Sequence, residues 1–140
     1  MQTWFLYAVL SAVFAGVTAV IAKKGLTGIS GDLGLVVRTL FVAVMALIFA
    51  WAVVPAKSFK DLNRDNTLWL ALSAATTLLS WVFYYRALKA GPVSGVALVD
   101  KGSIVVSIVL AALILKETIT LRMGLGGMLV LAGIILISRK

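Results

Sequence analysis

The sequence predicts an all-α integral membrane fold of five transmembrane helices joined by short loops, in one domain spanning 1–140. Three observations carry that expectation. The 140 residues are 62% hydrophobic and 13% charged, whereas an ordinary soluble domain is about 45–50% apolar and about 25% charged. The mean hydropathy is +1.11. The apolar residues also lie in continuous runs rather than in period-2 alternation. Lipid admits only helices and closed barrels, and continuous runs of this length read as helices.

The first run is Trp4–Ala22, closed by Lys23 and Lys24. It is not expected to be a cleaved signal peptide. No Lys or Arg precedes it, the basic pair follows it, and it has no A-x-A site. Gly25, Gly28 and Gly31 punctuate the loop to the second run, Leu33–Val54, which Pro55 ends. The longest and most polar connection, Pro55–Asn66, leads to the third run, Thr67–Leu88, with Arg86 and Lys89 at its end. Gly91-Pro92 is a turn dipeptide that ends one helix and starts the next. The fourth run is Val93–Leu115 and the fifth is Leu121–Ile137, with Lys116–Thr120 between them. Each run is about the 17–25 residues a spanning helix needs. Loops this short make successive helices antiparallel neighbours.

The fourth run carries Asp100 and Lys101 side by side. The apolar stretch after the pair, Gly102–Leu115, reaches only about 21 Å at about 1.5 Å per residue, against a hydrocarbon core of about 30 Å. The span therefore includes the charged pair, and charge inside a membrane helix marks a functional-site candidate. Arg38 and Asp100 lie about 7.5 and 10.5 Å in from the starts of their helices. Arg86 ends the third helix at the same membrane side. Asp100 needs a cationic partner to stay ionised in lipid. The forked guanidinium of Arg38 is the expected partner, with Arg86 second. Lys101 sits about 100° round the helix from Asp100. It is either an anchor snorkelling to the headgroups or part of the same cluster. Asp100 itself is either a structural ion pair or a substrate-linked group. Trp4, Trp51, Trp69, Tyr84 and Tyr85 suit an interfacial aromatic belt. Trp81 lies deeper and is a candidate for lining a cavity that takes aromatic or cationic solutes.

Small residues recur every four positions along the fourth run, at Gly91, Gly95, Ser103, Ser107 and Ala111, interrupted at Val99. Such a row lets helices approach closely in lipid. It predicts that this helix packs in the bundle core or against another subunit. A shorter row stands at Ala8, Ala12 and Gly16, and the glycines Gly124, Gly126, Gly127 and Gly133 form a packing surface on the last helix.

The residue inventory excludes several functions. Cysteine and histidine are absent, which removes disulfides, thiolate chemistry and the commonest metal ligand and general base. The acids are Asp32, Asp61, Asp65, Asp100 and Glu117. No Walker motif, dinucleotide fingerprint or metal-ligand spacing occurs, so no enzyme, cofactor or metal is expected. The net charge of +8 sits at helix ends, where it reads as a topology signal rather than as nucleic-acid affinity. With five crossings, Lys57, Lys60, Arg64, Lys116 and Arg122 face the N-terminal side. Lys23, Lys24, Arg38, Arg86, Lys89, Arg139 and Lys140 face the other. The bias toward the second side as cytoplasmic is modest, and fits either one orientation or insertion in both.

The C-terminal half adds a family resemblance. Ala87-Leu88 precedes the Gly91-Pro92 turn. A long helix then ends in Lys116-Glu117-Thr118, and a glycine-rich last helix follows. These features, with Arg38 early in the second run, resemble an EamA-type domain of the drug/metabolite transporter superfamily. In that family the Lys116 position often carries glycine, followed by glutamate and a hydroxyl residue. Many members also have a proline in the middle of the fourth helix, where this chain has Asp100-Lys101-Gly102, so it looks like the short, single-repeat subgroup. Typical members have ten helices in two inverted five-helix repeats. The resemblance implies that two copies of this chain pair antiparallel to rebuild that arrangement. It further implies a multi-pass protein of the prokaryotic inner or plasma membrane that moves small metabolites or drug-like solutes. The small multidrug-resistance proteins pair this way too, but their first-helix glutamate has no counterpart here. A membrane scaffold or assembly subunit that transports nothing is the alternative. The expected partners are a second copy of the chain, the bilayer and a small-molecule substrate.

Overall fold

The computed structural model describes residues 3–138. The described chain is all helical, with no strand. Arg139 and Lys140, counted above for topology, lie outside the described residues. Helix α1 is Thr3–Gly25 and α2 is Gly31–Val53. A six-residue 3₁₀ helix, Ala56–Asp61, follows Pro55. Then come α3, Arg64–Ala90, α4, Val93–Asp100, α5, Ser103–Ile114, and α6, Leu121–Ser138.

The helix starts are written in local side-chain chemistry. A helix leaves its first N–H groups without partners, and a short polar side chain just ahead of it accepts one of them. Ser30 Oγ accepts from Leu33 N at 3.2 Å, Asn63 Oδ1 from Asn66 N at 2.7 Å, and Thr120 Oγ1 from Met123 N at 3.3 Å. Pro92 opens α4 with extended backbone, φ −70° and ψ 141°. The turn into α2 uses Gly28 at φ 77°.

The fourth run differs from the predicted continuous helix Val93–Leu115. It is interrupted at the charged pair. Lys101 N bonds Leu98 O at 3.1 Å, Gly102 N bonds Val99 O at 2.9 Å, Ile104 N bonds Lys101 O at 3.1 Å and Val105 N bonds Gly102 O at 3.0 Å. These three-residue spacings are 3₁₀ turns, which rise about 2.0 Å per residue instead of about 1.5 Å. Gly102 permits the tightening. A Cβ there would lie 3.0 Å from Val99 O and 3.1 Å from Ile134 Cδ1 of α6.

Among the described residues, four stretches are long and apolar enough to cross a membrane: Thr3–Gly25, Gly31–Val53, Arg64–Ala90 and Val93–Ile114. The fifth apolar helix, Leu121–Ile137, is shorter. At about 1.5 Å per residue it reaches about 25 Å, the lower limit for a span.

The chain forms two compact units. One comprises Met1–Val20 with Gly91–Lys140, and the other Ile21–Ala90. In the first, α6 packs on α5 through Gly127, where a Cβ would stand 3.5 Å from Ile108 Cδ1 and 3.8 Å from Val105 Cγ2. Gly124, Gly126 and Gly133 would each carry a Cβ into open space. Gly127 and not the whole glycine set therefore makes this contact. In the second unit the core is Leu26, Leu35, Tyr85 and Leu88, all buried. Leu26 folds over Gly34, and Gly31 brings the start of α2 onto the α3 backbone. A Cβ on Gly31 would lie 2.8 Å from Tyr85 O. Two lysines tie the ends of this unit. Lys23 Nζ donates to Leu88 O, and Lys89 Nζ donates to Leu26 O at 3.1 Å. Cations at carbonyl-rich helix ends are favourable on charge grounds.

Candidate functional site

The second unit gathers Arg38, Trp81, Arg86 and Asp32. Arg38 lies two turns into α2, and Trp81 and Tyr85 lie one turn apart on α3. Four-residue spacing puts both rings on one face. The Arg38 guanidinium carbon lies 4.4 Å from the Trp81 ring centroid and 5.8 Å from that of Tyr85. A cation on an aromatic face is stabilised by the ring quadrupole, by about 2 kcal/mol or more when desolvated. Arg38 as a whole is half-buried. Its Nη1 is closed off from the surroundings and has no hydrogen-bond partner among the described residues.

Arg86 points to a different acid from the one expected. Its Nε lies 2.8 Å from Asp32 Oδ1 and its Nη2 lies 3.2 Å from Asp32 Oδ2. This is the two-armed geometry that suits a guanidinium and a carboxylate. Sequence reasoning placed Asp32 in the loop ahead of Leu33 and so missed it. The signal was present: Ser30 as a cap puts Asp32 in the first turn of α2, where an acid is favoured by the helix dipole.

The ion pair closes one end of a groove of about 350 Å³ between α2 and α3. Its other lining residues are Leu35, Val36, Thr39 and Leu40 from α2, and Leu78 and Val82 from α3. Thr39 Oγ1 is spent on Leu35 O at 2.8 Å, so the groove is apolar beyond its charged end.

In the first unit, Asp100 Oδ2 lies 3.7 Å from Lys101 Nζ. The two side chains leave the helix at different angles, but the long stem of Lys101 reaches back to its neighbour. The α5–α6 contact involves other residues than the row of small ones, which is expected to face the bundle core or another subunit. Ser103 and Ser107 are exposed, whereas Ile108 and Val105 face Gly127. Ser107 and Ala111 instead line a groove of about 190 Å³ with Ile108, Glu117, Thr118, Ile119 and Met123. Gly95 is half-buried, and its nearest side-chain neighbour is Pro92. Gly91 is half-buried at the turn. Among the described residues, no group of His, Cys, Asp and Glu side chains could hold a metal ion.

At the end of α5, Lys116 adopts φ 56°. This left-handed conformation favours glycine, because other residues bring Cβ against the following carbonyl. It turns the chain so that Glu117 N bonds back to Ala111 O at 3.2 Å.

Comparison with known proteins places these features in a family context. The EamA-like transporter family matches residues 2–139. A protein of Sinorhizobium sp. described as "Uncharacterized transporter in cobO 3'region" is 36% identical over 137 residues, covering 98% of this chain and 97% of its own length. No solved structure matches.

Proposed function

The chain belongs to the EamA-like transporter family, and from that premise we propose that it is a small secondary transporter or exporter of metabolites or drug-like solutes, working as an antiparallel homodimer. The observation that carries this reading is the interruption of the fourth span at Asp100–Gly102. Secondary transporters build their sites from discontinuous helices near the bilayer midplane, and they alternate access by rocking one repeat against the other. A 3₁₀ segment beside two charges is a place where such a helix bends without breaking its hydrogen-bond ladder.

Five crossings put the termini of one subunit on opposite sides. Two copies then form an inverted pair only if they insert antiparallel. Asp100 and Lys101, 3.7 Å apart, gate the path at the interrupted helix. Arg38 and Trp81 form the solute-facing group in each subunit, while Arg86 holds α2 and α3 together through Asp32. The exposed Ser103 and Ser107 suit close approach of a second copy. The cell membrane is the site of action.

The test is exchange of labelled solutes by the full chain reconstituted in vesicles. Benzoate, phenylalanine and benzylammonium cover the anionic, zwitterionic and cationic aromatic classes. The reading predicts that at least one of these solutes is exchanged, and that Asp100→Asn slows its exchange while assembly is preserved. Undiminished exchange in a normally assembled Asp100→Asn protein removes Asp100 from the mechanism.

A further inference from the structure

We propose that the Arg38 guanidinium is the seat for a carboxylate or phosphate group of the transported solute, so that the substrate is an organic anion with an apolar body. The proposal rests on the transporter reading and names its substrate class.

Asp32 is held by both arms of Arg86. Asp100 has Lys101 Nζ at 3.7 Å. Asp65 stands at the far end of α3, and Glu117 in the loop before α6. Among the described residues, no acid pairs with Arg38. Its neighbours are the rings of Trp81 and Tyr85, and Nη1 is closed off with no acceptor. A buried N–H without a partner costs about 1–3 kcal/mol, and more on a charged group. Such a group in a native structure calls for an absent ion or a functional role.

Geometry points to the same ligand. Aromatic faces stabilise the cation but accept none of its in-plane hydrogen bonds. A guanidinium set over a ring therefore still offers its N–H edges to an acceptor lying in its own plane. Carboxylates and phosphates match that fork with two parallel bonds, which a single carbonyl or hydroxyl cannot do. The rings of Trp81 and Tyr85 beside the guanidinium suit a hydrocarbon or aromatic body attached to the anion. Arg38 enters about 10 Å along α2 from its first residue at about 1.5 Å per residue. A solute held there lies inside the span, below the level of the Asp32–Arg86 pair.

The experiment uses the full chain in phosphatidylcholine vesicles, with thermal unfolding followed by tryptophan fluorescence. Benzoate and phenylphosphate are titrated, and benzylammonium is the cationic control. Both anions should raise the unfolding midpoint saturably and benzylammonium should not. Arg38→Gln should abolish the response. Arg38→Lys keeps the charge and loses the fork, and should weaken apparent affinity about tenfold. If Arg38→Gln fails to fold, Arg38→Lys carries the test alone. Full anion affinity in the lysine variant overturns the fork-bound seat, as does an equal response in Arg38→Gln or stabilisation by benzylammonium in place of the anions.

A second arm adds phosphatidylglycerol. If that lipid produces the Arg38-dependent stabilisation and blocks the added anions, the group held is a lipid headgroup and the substrate assignment is overturned. If benzoate still binds, the assignment stands. Exchange of cationic or neutral solutes with no anion binding removes this inference and leaves the transporter reading intact. Arg38-dependent anion binding without exchange of any anion does the reverse.

Discussion

Arg86 and Asp32 stand 54 positions apart in the chain and form a two-armed ion pair, with contacts of 2.8 and 3.2 Å. The pair joins the last turns of α3 to the first turn of α2, and 59% of each side chain is exposed in the isolated chain. It therefore sets the register between the two helices that also carry Trp81 and Arg38. Asp32→Asn and Arg86→Gln should each lower the unfolding midpoint, and the double variant should lower it by less than the sum. The charge-swapped double variant, Asp32→Arg with Arg86→Asp, should recover part of the loss. Thermal unfolding across this cycle reads the coupling, and strict additivity would remove the pair from the packing account.

Gly31 sets how closely the same two helices approach. Gly31→Ala places a Cβ 2.8 Å from Tyr85 O. The obstacle is backbone rather than a flexible side chain, so the helices must separate. The expected cost is about 1–3 kcal/mol, with Trp81 fluorescence shifting as Arg38 moves off its ring. Gly16→Ala is the contrast. Its Cβ meets nothing within 4 Å, and removing a mid-helix glycine should stabilise by about 0.5–1 kcal/mol. Chemical unfolding in detergent compares the two.

Lys116 holds φ 56° at the end of α5. Lys116→Gly should raise stability by about 1 kcal/mol by relieving the left-handed strain. Lys116→Val should lower it, because a branched Cβ worsens the same clash. Unfolding midpoints of the three proteins, measured side by side, decide the order.

Gly102 allows the 3₁₀ segment and the approach of α6. Gly102→Ala should cost about 1 kcal/mol against Ile134 and should slow solute exchange more than it slows unfolding changes would imply. Ile134→Val added to it should return much of the stability. If the pair regains stability while exchange stays slow, the backbone bend rather than the packing limits transport.

The helices were legible in the sequence, because five apolar runs bounded by glycine, proline and charge leave little choice in lipid. The family resemblance also rested on visible residues, Gly91-Pro92 and Lys116–Thr118 among them. The interruption at Asp100–Gly102 was not legible, since the hydropathy of the fourth run carries no mark of hydrogen-bond spacing. What decides it is that Gly102 lets Val99 O and Ile134 approach. Nor could spacing alone show which row of α5 meets α6. The α5–α6 contact is made by Ile108 and Val105 against the absent side chain of Gly127, residues that carry no spacing signal of their own. Asp32 was missed because a loop assignment hid it, although the Ser30 cap placed it in α2. A guanidinium satisfies whichever carboxylate the tertiary fold brings near, so Arg86 choosing Asp32 depends on how Gly31 seats α2 on α3.

The antiparallel dimer is the claim on which the transport mechanism depends, and the two-terminus topology assay tests it most directly. Reporters active only in the cytoplasm are fused to the N-terminus in one protein and to the C-terminus in another, at matched expression in cells. Five crossings and insertion in both orientations predict comparable cytoplasmic signal from each fusion, with added Lys or Arg at Thr27 shifting the balance toward one side. Signal from one terminus only, unchanged by such substitutions, contradicts the antiparallel pair.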